Sequence, residues 1–63
     1  MYNKKKQIEI MRYLHYVTDQ EGNQIESVYS ASNTAKFSMA CLAKIKNGTY
    51  QIWDRETNEI TTL

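Results

Sequence analysis

The chain reads as a small α+β domain of ββαββ order: an antiparallel sheet of two hairpins with one amphipathic helix packed on one face. Two features carry that reading. Alternating apolar segments flank two similar loops, DQEGNQI at residues 19–25 and DRETNEI at residues 54–60, and a helix-forming run stands between them. Alternation with period 2 marks a strand with one face inward, and a period near 3.6 marks a helix.

The first strand is expected over residues 7–18, where the even positions Ile8, Ile10, Leu14, Tyr16 and Thr18 are mostly apolar and Arg12 is the exception. Residues 24–30, QIESVYS, are β-branched and aromatic and follow a Gly-Asn turn signal, which completes the first hairpin. Ser32 or Asn33 can cap a helix over residues 34–46, TAKFSMACLAKIK, with Gly48 expected in the left-handed conformation that ends it. At about 100° per residue, Ser38, Cys41, Leu42 and Ile45 share one side, flanked by Phe37 and Ala35. Lys36, Ala40, Ala43 and Lys44 point the other way. The first set is therefore the one expected against the sheet. TYQIWD and EITTL then form the second hairpin.

The repeated loops offer an acid, a second acid and an asparagine at alternate positions, Asp19, Glu21 and Asn23, then Asp54, Glu56 and Asn58. A calcium loop of the EF-hand kind also needs Gly at position 6 and a bidentate Glu at position 12. Counting from Asp19 these positions hold Gln24 and Ser30, and counting from Asp54 position 6 is Glu59 and the sequence ends before position 12. The loops are therefore read as turns. Asp opens each by accepting backbone N–H bonds, and Asn23 and Asn58 supply the left-handed residue. The register that follows pairs Thr18 with Ile25, Tyr16 with Ser27 and Leu14 with Tyr29, then Trp53 with Ile60, Ile52 with Thr61 and Tyr50 with Leu63.

This places Ile8, Ile10, Leu14, Tyr16, Ile25 and Tyr29 on one sheet face, taken as the face under the helix. The opposite face then carries Met11, Tyr13, His15, Val17 and Val28, joined by Trp53 and Ile60 of the second hairpin, a surface too apolar to be left in water.

Composition narrows the function classes. Hydrophobic residues make up 41% and charged residues 24%, which places the chain among globular sequences. A net charge of +1 gives no broad field toward nucleic acid or membrane. One cysteine, Cys41, permits no internal disulfide, and neither a signal peptide nor a run of about 18 apolar residues is present, so a cytoplasmic location is expected with no membrane partner. The domain is assigned to residues 7–63, preceded by a basic, flexible segment at 1–6. His15, the single histidine, lacks the partners that catalysis or metal binding requires, and Cys41 reads as a small helix hydrophobe. No catalytic, cofactor or metal site is expected.

The function expected is a small non-enzymatic protein-interaction module, an inhibitor or modulator of a larger cytoplasmic protein of the kind phages and plasmids encode, and itself a homodimer. Its contact residues are expected to be Met11, Tyr13, His15, Val17, Val28 and Trp53. The alternative is a nucleic-acid-binding module in which Lys4, Lys5, Lys6 and Arg12 neutralise phosphates while sheet aromatics stack on bases.

Overall fold

The computed structural model describes residues 11–34 and 37–63. The elements run β1 (Tyr13–Thr18), β2 (Gln24–Ser30), α1 (Phe37–Ile45), β3 (Thr49–Asp54) and β4 (Glu59–Thr62). They form one small α+β domain with a four-stranded antiparallel sheet in the order β2-β1-β3-β4 and a single helix among the described residues. The 1–6 segment, Ile8 and Ile10 lie outside the described residues, and strand pairing begins at Tyr13.

Both hairpins keep most of the expected register. Leu14 pairs with Tyr29 and Tyr16 with Ser27, but Thr18 pairs with Gln24 because a bulge at Ile25 shifts the ladder. In the second hairpin Trp53 pairs with Ile60 and Ile52 with Thr61, and the Leu63 N–H donates to the Tyr50 carbonyl.

The loops differ in where the left-handed residue sits. Asn58 adopts it as expected, with φ of 66°. In the first loop Gly22 takes it instead, with φ of 88°, since glycine enters this region without the Cβ clash that Asn23 would have to bear. Both aspartates act as turn openers. Asp19 Oδ1 accepts from the N–H groups of Glu21 and Asn23, and Asp54 Oδ1 from those of Glu56 and Thr57. The backbone donors hold the Asp19 carboxyl below its ordinary range, that of Asn23 contributing most.

The helix stop also departs from expectation. Asn47 takes the left-handed position, with φ of 53°, while the Gly48 N–H reaches the Ala43 carbonyl and the Asn47 N–H the Lys44 carbonyl. That is the Schellman pattern of bonds, with Asn at the position glycine usually fills. Gly48 is needed for a different reason: a Cβ there would stand 1.7 Å from the Thr18 carbonyl oxygen. The chain leaving the helix is pressed against the end of β1.

The helix lies on the sheet face opposite to the one expected. Beneath it are His15 and Val17 from β1 and Tyr50 and Ile52 from β3, with Met39 and Ala43 contributed by the helix and Tyr13 packed at the margin. Leu14 and Tyr16 face away. The reason is topological. β2 and β3 run parallel on either side of β1, so α1 is a crossover, and crossovers between parallel strands are right-handed in nearly all proteins. The Tyr50 carbonyl points to β4, and with that strand order a right-handed crossover puts α1 over the Val17–Tyr50 side.

The buried side of the helix is corrected too. Met39 and Ala43 are in the core, whereas Ile45 is exposed and Cys41 and Leu42 are half-buried. The small Ala43 permits close approach of helix to sheet, and the Gly48 contact fixes the rotation with which the helix must exit.

Candidate functional site

Among the described residues no group of three His, Cys, Asp or Glu side chains is placed to hold a metal, and no helix is long and apolar enough to cross a membrane. His15 is fully buried. Its Nε2 faces the Ser32 carbonyl, an acceptor with no proton to give, so Nε2 carries the hydrogen and Nδ1 accepts from the Tyr50 hydroxyl. Both ring nitrogens are satisfied by this one tautomer. The histidine thus ties the β2–α1 connection to the sheet and offers no atom to solvent.

The expected contact set is divided by the fold. His15 and Val17 are sealed under the helix, and Tyr13 packs beside them. Val28, opposite His15, is exposed at the margin of the same side and lines a groove with Met39 and Leu42. Met11 is half-buried just before β1, where its carbonyl accepts from Arg55. Trp53 alone of the six sits within the sheet on the face away from the helix.

That open face carries the apolar surface. Tyr29 on β2 pairs with Leu14 on β1, Leu14 with Trp53 on β3, and Trp53 with Ile60 on β4, so one unbroken row crosses all four strands. Tyr16 stands on the same face two residues along β1 from Leu14. Tyr29 is 39% exposed and Ile60 57%. The row is held in position at two points. The Trp53 Nε1 donates to Asn58 Oδ1 at 2.9 Å, and the Arg55 guanidinium lies 5.0 Å from the Tyr29 ring centroid, within cation–π range.

The signal for this row was present in the sequence, because the pairs Leu14–Tyr29 and Trp53–Ile60 both follow from the hairpin register. Missing was the pairing of β1 with β3, which joins the two halves.

Of the four basic residues expected to meet phosphates, Arg12 is the one the structure describes, and it is engaged. Arg12 forms a bidentate pair with Asp54, Nε to Oδ1 at 3.0 Å and Nη2 to Oδ2 at 2.9 Å, with Glu56 3.5 Å from Nε. The Arg12 hydrogen bonds hold the Asp54 carboxyl well below the usual carboxylate range, and Asp54 in turn raises the guanidinium further. Lys4, Lys5 and Lys6 lie outside the described residues. No family model matches the chain, and neither the curated proteins nor the solved structures contain a match.

Proposed function

We propose that this protein is a non-enzymatic interaction module that occupies an apolar surface of a larger protein and thereby inhibits or modulates it. One observation carries the proposal: the row Tyr29–Leu14–Trp53–Ile60, which crosses every strand on the face the helix leaves uncovered. Aromatic side chains concentrate interface energy because they bury a large area while losing little rotamer freedom. The hydrogen bond to Trp53 and the cation over Tyr29 hold two of them in place before a partner arrives, which lowers the ordering cost of association.

The nucleic-acid reading draws less support. The same aromatics are able to stack on bases, but Arg12 already spends its donors on Asp54, and exchanging that bidentate pair for a phosphate offers little net gain. The remaining described lysines, Lys44 and Lys46, belong to the helix end on the opposite side of the sheet.

The test is affinity capture from a lysate of the native host with the parent chain and with Tyr29→Ser/Ile60→Ser, two exposed positions whose loss should leave circular dichroism unchanged. A protein captured by the parent and lost with the folded variant, at a level insensitive to salt, is the expected result. Equal capture by both would overturn the proposal, as would capture of DNA or RNA with a steep salt dependence.

A further inference from the structure

The helix has a second apolar stripe, on the side turned from the sheet. Met39 and Ala43 define the buried side, and Phe37, Cys41 and Ile45, at i, i+4 and i+8, lie directly opposite. Phe37 is 85% exposed and Ile45 74%, the two most exposed large hydrophobic residues of the described chain. Lys44 borders the stripe on one edge, beside Phe37, and Leu42 flanks it on the other, the side of β2, above the groove lined by Val28.

We infer that this stripe is a self-association site at which two copies pair their helices antiparallel about a two-fold axis through Cys41. The pattern itself selects a second copy. Large residues stand four positions to either side of a small one, so a two-fold at Cys41 lays Phe37 of each copy against Ile45 of the other. The small central residue lets the helices approach while the larger ends interlock, and Leu42 of each copy closes the seam on the β2 side. Electrostatics favour the same arrangement. Antiparallel helices set the partly positive amino end of each beside the partly negative carboxyl end of the other, and a two-fold normal to both axes offsets the two Lys44 side chains along the seam rather than stacking them.

The seam is small, which limits the affinity without fixing it. An aromatic side chain buries about 150–250 Å², and Phe37 leaves most of its own in water. Two helices of nine residues joined along one stripe reach no further than the lower bound of about 1,200 Å² seen for specific interfaces. A dimer in the micromolar range is therefore expected, with the two open sheet faces pointing outward and available together. The inference does not rest on the sheet-face reading.

Sedimentation velocity over a concentration series, combined with cross-linking by a short bismaleimide, tests it. The parent should show a reversible dimer that cross-links through Cys41. Phe37→Asp and Ile45→Asp should each remain folded by circular dichroism and lose both signals, Cys41→Ser should keep the dimer and lose the cross-link, and Trp53→Ser should keep both. A chain that stays monomeric at hundreds of micromolar overturns the inference. So does a dimer that survives both aspartate variants, fails to cross-link at Cys41, or disappears with Trp53→Ser alone. Unfolding of Phe37→Asp and Ile45→Asp alike would place the stripe in the core and overturn it as well.

Discussion

Replacing His15 by Phe keeps a ring in the core and removes two hydrogen bonds, those to the Tyr50 hydroxyl and the Ser32 carbonyl. Tyr50 is 2% exposed, so water cannot readily take the place of the lost nitrogen there. Leaving a buried group without its partner costs about 1–3 kcal/mol, and because Ser32 is exposed and only the Tyr50 side is buried, the substitution should destabilise by roughly 1–3 kcal/mol. That is a large share of the about 3–9 kcal/mol expected for a domain of this length. Urea denaturation followed by Trp53 fluorescence and by circular dichroism measures it. In a double-mutant cycle with Tyr50→Phe, the pair should be less destabilised than the sum of the single variants, with a coupling of about 0.5–3 kcal/mol. If His15→Phe unfolds within about 0.5 kcal/mol of the parent, or the two substitutions simply add, the histidine is not the tie described above.

Two further outcomes follow from the geometry. Gly48→Ala should be destabilising by about 1–3 kcal/mol, because the new methyl meets backbone atoms of Thr18 that cannot rotate away; a neutral effect in urea would mean the helix exit is less tightly held than the 1.7 Å approach implies. Asp54 has a folded-state pKa depressed by Arg12, so its contribution is present above the ordinary aspartate range and is lost as pH falls through that range toward the lower folded-state value. Asp54→Asn should therefore lower the melting temperature at neutral pH and flatten its fall below about pH 4, and parallel acid profiles for the two proteins would refute the assignment.

What the residues settled by themselves is local. Asp19 and Asp54 mark the turn openings, Asn58 the left-handed corner, and the alternation around the loops the pairs Leu14–Tyr29, Tyr16–Ser27, Trp53–Ile60 and Ile52–Thr61. Each of these depends on residues no more than 15 positions apart, where turn chemistry and side-chain period act directly. Even there, Gly22 displaced Asn23 and Asn47 displaced Gly48 from the left-handed position: glycine enters that region without a Cβ clash in the first loop, and at the helix exit Gly48 is held instead by its close approach to Thr18.

The placement of the helix was decided only by tertiary structure. Alternation and helical period in the sequence predict Leu14 and Tyr16 as the inward side of β1, and Cys41, Leu42 and Ile45 as the inward side of the helix. Once β1 pairs with β3, the handedness of the β2–α1–β3 crossover dictates the covered face, whichever face is the more apolar. A histidine is tolerated there because Tyr50 and Ser32, both distant in sequence, satisfy its two nitrogens. The same decision leaves the row from Tyr29 to Ile60 on one outer surface and the Phe37–Ile45 stripe on the other. The row exists in no single segment of the chain, and the stripe, though it lies within one helix, becomes an outer surface only when the opposite side of that helix docks on the sheet: period alone says which residues travel together without saying which way they point.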